Sequence, residues 1–198
     1  SHNKKDKGGV PAVPEATRFG QKLLSDHLLL EDTDKSRHNM DTSLTIIDEY
    51  SLWTQKYADD TKKSSRVAAH YNSFLGPGIQ ADYIYTDDAK ELKKGATLLK
   101  PDMKPETSTP RIPETHGKIE RVNRRVVEGT RALLSQSGLH LEWWVEAQMC
   151  FNFIWNVTQL VKQYGKTPYH LRFKRPFKGP VCAFGCEVHF KPVAYNDK

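Results

Sequence analysis

The chain has 198 residues, 37% hydrophobic and 27% charged. That balance and length suit one soluble globular domain with extensions, or at most two small domains, and exclude a wholly disordered chain. No apolar run approaches the roughly 20 residues of a membrane span, so no membrane association is expected. Lysine and arginine exceed aspartate and glutamate by 30 to 24, a net charge of +6, which permits a polyanionic partner without demanding one.

Residues 1–17 are polar and hold Lys4, Lys5, Lys7, paired glycines and two prolines, the composition of a linker or disordered arm. Lys22 to Leu30 is an apolar strand with polar residues at its middle, and Glu31 to Asp41 is turn-like. Thr42 to Glu49 and Ser51 to Ala58 are two further strands, close enough to pair as a hairpin. Asp59 to Leu75 has helical spacing in Val67, Ala68, Tyr71, Phe74 and Leu75, stopped by Gly76-Pro77-Gly78. Asp82 to Tyr85 is a short fourth strand, followed by a helix over Ala89 to Leu99. Four prolines between Pro101 and Pro113 mark irregular chain around a short strand at Glu106 to Ser108. Thr115-His116-Gly117 is expected as a loop entering a long helix over Thr115 to Gln136, with Gly138 as its C-terminal cap. Leu141 to Gln163 is expected as a second long helix, whose aromatic residues suit core or dimer contacts better than base stacking. Val181 to Phe190 is expected as a terminal strand. Strands, a helix, another strand and more helices make an α/β chain with a mixed sheet.

There are three cysteines, Cys150, Cys182 and Cys186. An odd count leaves at least one unpaired within the chain, and buried thiols in a reducing compartment are expected. No His/Cys set has zinc-finger spacing.

Three acids occupy telling positions. Asp26 sits inside an apolar strand, where a charge is costly without a partner or a cation. Asp87 follows the fourth strand, where α/β sheets present ligand sites. Glu120 lies in the first turns of the long helix. Sixty residues separate Asp26 from Asp87, and 32 separate Asp87 from Glu120. Spacing alone has little specificity, since a single acid is by default a solvated or salt-bridged carboxylate. The chemistry that would unite them is phosphoryl transfer, in which two divalent ions activate a hydroxyl and neutralise a leaving oxygen. Mg²⁺ and Mn²⁺ take carboxylate oxygens.

Three segments together resemble the catalytic core of the DDE integrases of long-terminal-repeat retrotransposons, of the copia type. They are Phe19-Gly20 with Ser25-Asp26-His27, then Tyr85-Thr86-Asp87-Asp88-Ala89-Lys90-Glu91-Leu92. The third and most specific runs from Ser108-Thr109-Pro110 through Pro113-Glu114-Thr115-His116-Gly117-Lys118-Ile119-Glu120-Arg121. Asn123-Arg124, Arg131-Ala132-Leu133-Leu134, Trp144, Glu146-Ala147, Asn156, Thr167-Pro168-Tyr169 and Phe184-Gly185-Cys186 extend the likeness to about Phe19 to Val193. Asp88 and His116 stand where the family usually has Asn, and Leu92 where it has Phe. The second acid-to-acid gap is also shorter than in the retroviral pattern.

The resemblance implies a ribonuclease-H-like fold, a mixed five-stranded sheet flanked by helices. The core would span residues 18–165, with residues 166–198 as its C-terminal extension. It implies a metal-dependent polynucleotidyl transferase that trims retroelement cDNA ends and joins them to target DNA. Asp26, Asp87 and Glu120 would be its catalytic and Mg²⁺- or Mn²⁺-binding triad. A homo-oligomer, DNA as partner and a nuclear location follow from the same likeness. His116, Lys118, Arg121, Arg124, Arg125 and Lys90 are the candidate DNA contacts, being basic groups near the acids that could hold phosphates. The family's His-His-Cys-Cys zinc module and a C-terminal DNA-binding domain are missing from these residues, so a fragment or a relic of the core is expected. The competing reading is therefore a catalytically silent, integrase-derived subunit of a larger complex. A ribonuclease of the same fold would need a fourth carboxylate, and Asp32 and Asp34 are poorly placed in their turn.

Overall fold

The computed structural model describes residues 15–29, 35–86, 89–100, 106–107 and 113–189. Five strands form one sheet: β1 (Lys22–Leu29), β2 (Thr42–Asp48), β3 (Thr54–Asp59), β4 (Tyr83–Thr86) and β5, only Glu106–Thr107. Their order is β3-β2-β1-β4-β5. β1 pairs antiparallel with β2, and β2 with β3. β4 runs parallel to β1, and β5 to β4. The mixed α/β sheet is thus as expected, with four full strands and a two-residue fifth at the edge.

Among the described residues, five α-helices flank it: α1 (Ser64–Leu75), α2 (Lys90–Leu99), α3 (Pro113–Ser137), α4 (Trp144–Thr158) and α5 (Pro168–Phe173). Alternation along each strand sends neighbouring side chains to opposite faces. Leu23, Leu44, Ile46 and Ile84 point to one face, where Val67, Tyr71 and Phe74 of α1 and Leu92 and Ala96 of α2 cover them. Gly95 lets the two helices close, because a Cβ there would meet the Val67 side chain. The opposite face carries Leu24, Ile47 and Tyr85 under Ile119 of α3. α3 and α4 then join through Leu134, Trp144, Val145 and Ala147. At their crossing Gly129 lies against the Phe151 ring, leaving no room for a side chain.

Several boundaries differ from the sequence expectation, each for a local reason. Asp59 ends β3 instead of starting α1, because its carboxylate accepts from the Asp60 N–H, Arg66 and His70. Thr115, His116 and Gly117 are not an entry loop; they lie within α3, which starts at Pro113, a residue suited to the first helical position. α4 stops at Thr158 rather than Gln163, and Val161 and Lys166 pair across a tight turn containing Gly165 at φ 59°. No strand forms over residues 181–189, where Val181 and Val188 are exposed. Cys182 and Cys186 are exposed too, and Cys150 is half-buried, so the buried-thiol expectation fails there. Asp32, Asp34, Asp87, Asp88, most of the N-terminal arm and residues 190–198 lie outside the described residues.

α5 is fastened to the core by Arg172. Its guanidinium donates to the Phe74 carbonyl at 2.7 Å and lies 4.5 Å from the Phe19 ring and 4.7 Å from the Trp53 ring.

Candidate active site on the polar face of the sheet

The face under α3 and α4 is not uniformly apolar. Asp26 pairs with Thr45, and Thr45 with Lys56. Directly opposed residues share a face, so β1, β2 and β3 present a carboxylate, a hydroxyl and an ammonium in one row. Asn123 of α3 lies over that row. The Thr45 hydroxyl donates to Asn123 Oδ1 at 2.5 Å, and Asn123 Nδ2 donates to Asp26 Oδ2 at 2.9 Å. The ionised Asp26 carboxylate can only accept, so it takes the amide NH2, which leaves the amide oxygen to accept from Thr45.

Lys56 is 3% exposed. Its Nζ has no hydrogen-bond partner among the described residues. Burial pulls its pKa down to about 7, with the Asp26 charge acting in the opposite direction. Neither Lys56 nor the Asn123 bridge was singled out from the sequence. The available signal was alternation: Thr54, Lys56 and Ala58 fall on one face of β3, and a lysine there has to be buried.

Glu120 is an exposed residue of α3. It precedes Asn123 by three residues, which places the two on one flank of the helix. Gly129, facing α4, lies on another flank. β4 ends at Thr86, level with Ser25 of the parallel β1, one residue short of Asp26. Asp87 itself is outside the described residues. Two of the three predicted acids are therefore described, one on the strand next to β4 and one on the helix that crosses it.

The predicted DNA contacts separate into groups. Arg121 and Arg124 are exposed on α3, and Lys90 is exposed at the first position of α2. Lys118 donates to Glu49 at 2.8 Å, and Lys22 lies 3.2 Å from the same carboxylate. Burial pushes the Glu49 pKa up, but the two lysines outweigh it and hold the carboxyl below its usual range. Arg125 turns inward: its guanidinium lies 3.6 Å from the centre of the Trp155 ring, and burial pulls its pKa down to about 10. The His116 backbone is helical, and its side chain is outside the described residues.

The aromatic residues of α4 and the turn before it serve packing. Trp144 is buried, Trp155 lies against Arg125, and Trp143 stacks under Arg37 at 3.9 Å. Arg37 also pairs with Glu146 at 2.8 Å.

Asp26 and Glu120 supply carboxylate oxygens only, the donor type that Mg²⁺ and Mn²⁺ prefer. On donor chemistry they fit such an ion. Among the described residues there is no group of three or more His, Cys, Asp or Glu able to hold one, and Asp87 stands outside that set.

No protein-family model matches the chain. Solved structures do. The chain is similar to one in the simian T-cell lymphotropic virus intasome in complex with the PP2A regulatory subunit B56 gamma, with TM-score 0.61 and 18% identity. That match covers 91% of this chain and 62% of the other, so this chain spans less than two thirds of its counterpart. It is similar to the HTLV-2 integrase catalytic core domain in complex with magnesium, in a trimeric form, with TM-score 0.55, 17% identity and 78% and 97% of the two chains covered. It is also similar to the catalytic core domain of BIV integrase, with TM-score 0.55, 14% identity and 78% and 95% covered. At these identities the likeness is one of fold, and the fold is the ribonuclease-H-like α/β fold of retroviral integrase catalytic cores.

Proposed function

We propose that this chain is the catalytic core of a retrotransposon-type integrase, a metal-dependent polynucleotidyl transferase that processes element cDNA ends and joins them to target DNA. The observation that carries the reading is the α3–β1 junction. There the helix bearing Glu120 is bonded through Asn123 to Asp26, beside the strand that leads to Asp87. Asp26, Asp87 and Glu120 would hold one or two Mg²⁺ or Mn²⁺ ions. When bound, such ions make a hydroxyl nucleophilic and neutralise the leaving oxygen.

The chain's own residues do the rest. Asn123 holds the Asp26 carboxylate in one orientation. Arg121, Arg124 and Lys90 offer exposed cations to the phosphate backbone, with His116 and Lys118 nearer the helix start. Binding through such groups is salt-dependent, and each lost phosphate contact lowers the salt slope by about 1. The partners are then element ends and target DNA, engaged by a homo-oligomer in the nucleus. The magnesium complex, the trimeric form and the intasome among the similar structures support this reading by analogy of fold.

The test is strand transfer of a short duplex end into plasmid DNA with Mn²⁺. Activity that Glu120→Gln abolishes supports the enzyme. Activity indifferent to Glu120→Gln, or none with either Mn²⁺ or Mg²⁺, overturns it.

A second reading has one observation in its favour. Lys56 places a buried basic side chain in the row of Asp26, which suits a catalytically silent descendant acting as a structural subunit of a larger complex. Such a chain would bind no Mn²⁺.

A further inference from the structure

We propose that Lys56 is a resident competitor for the cation at Asp26, and that it sets how weakly this site takes a divalent ion. The inference rests on the metal reading above.

Lys56 and Asp26 stand two strands apart in one cross-strand row, with Thr45 between them. Neighbouring strands are about 4.8 Å apart, so the two backbones are separated by roughly 10 Å. A lysine stem lying along the face toward β1 covers most of that span. On the other side of Lys56 there is no further strand among the described residues, where β3 is the edge of the sheet.

The ammonium is buried and has no hydrogen-bond acceptor among the described residues. A buried charge of this kind is costly unless an opposite charge compensates it. The negative group in its row is Asp26, whose Oδ2 is already met by Asn123. Gln55 and Tyr57 neighbour Lys56 on β3 but alternate to the opposite face. Lys56 thus acts on Asp26 and on nothing else the row contains.

A divalent ion arriving at Asp26 meets the buried Lys56 amine, whose protonated form repels it in a region of low dielectric, where repulsion reaches farther than in water. Lys56 therefore lowers metal affinity, and without metal it balances the carboxylate. It is a positioning and affinity-setting residue; it touches no reacting atom.

Mn²⁺ titration of the full chain, followed by electron paramagnetic resonance of the free ion, compares wild type with Lys56→Met. Methionine keeps an unbranched stem and removes the charge. The expected result is a dissociation constant about tenfold lower in the variant. Equal or weaker affinity in the variant overturns the role of Lys56 and leaves the metal reading standing. No binding by either protein overturns the metal reading and this inference with it. Should Lys56→Met fail to fold, Lys56→Gln takes its place. A metal-free measurement supplies a second arm: in chelator, Asp26→Asn should lower Tm more in the Lys56 background than beside Lys56→Met. Equal losses in the two backgrounds overturn the pairing.

Discussion

On the side covered by α1 and α2, the sheet presents Leu23, Leu44, Ile46 and Ile84 to Val67, Tyr71 and Phe74. On the side covered by α3 and α4 it presents Asp26, Ser43, Thr45 and Lys56 among its apolar residues. Helix amides there make the closing bonds: Asn123 to Thr45 and Asp26, Gln148 to Ser43 at 2.8 Å, and Asn156 to both backbone groups of Thr54. The first face gains by removing apolar area from water, roughly 1.5–3 kcal/mol for each large side chain. The second gains little net from each hydrogen bond but loses heavily if one is left unmade. A sheet can therefore be stabilised from one side and carry its buried polar groups on the other. The Asn156 bonds also occupy backbone groups of β3, an edge strand that would otherwise offer them for pairing.

That contrast can be broken most sharply on the apolar side. Phe74→Ala should cost about 3–5 kcal/mol by chemical denaturation, with Mn²⁺ affinity unchanged in whatever fraction stays folded. On the polar side, Asn123→Ala should cost less, about 1–3 kcal/mol, yet weaken Mn²⁺ binding because Asp26 loses its orienting donor. A loss of stability with no change in metal affinity would remove Asn123 from the site.

Within α3, Arg124 and Arg125 sharpen the distinction between outward and inward groups. Arg125→Ala should destabilise by roughly 1–2 kcal/mol through the lost contact with Trp155, measured by thermal unfolding. Arg124→Ala should leave stability nearly unchanged and lower the salt slope of DNA binding by about 1. The reverse pattern would mean that the helix is docked the other way round.

The smallest effect concerns pH at the end of β3. Burial holds His70 below its ordinary value of 6.5, although Asp59 bonds to it and works the other way. The unfolded chain then takes up the proton first, so stability falls as pH drops from 6.5 toward the folded value. Asp59 is pushed up by burial, but Arg66, the Asp60 N–H and His70 outweigh this and hold it below 3.8. Its contribution is present above 3.8 and is lost as pH falls through the folded value. His70→Gln should flatten the unfolding midpoint between pH 6.5 and 5, approximately, while leaving the steeper acid limb in place.

Much of this architecture was legible from residue patterns. The strands β1 to β4, the helix ended by Gly76-Pro77-Gly78 and the Thr107 edge all fall where alternation, helical spacing and turn residues placed them. What escaped were features decided by partners distant in sequence. Asp59 ends a strand because Arg66 and His70 reach back to it. Lys56 is buried because Thr45 and Asp26 set its register. Arg125 differs from Arg124 only in which flank of α3 faces Trp155. The likeness around Glu120 pointed to the helix that lies over Asp26, but the bond from Asn123 to Asp26 belongs to the fold and has no local signature.

The most direct test of the carboxylate site is Mn²⁺ binding by wild type, Asp26→Asn and Glu120→Gln, read by titration calorimetry at one pH and salt concentration. Saturable binding by the wild type, weakened at least about tenfold in each variant, is the predicted result. Binding that persists undiminished in both variants, or is absent from all three proteins, would contradict it.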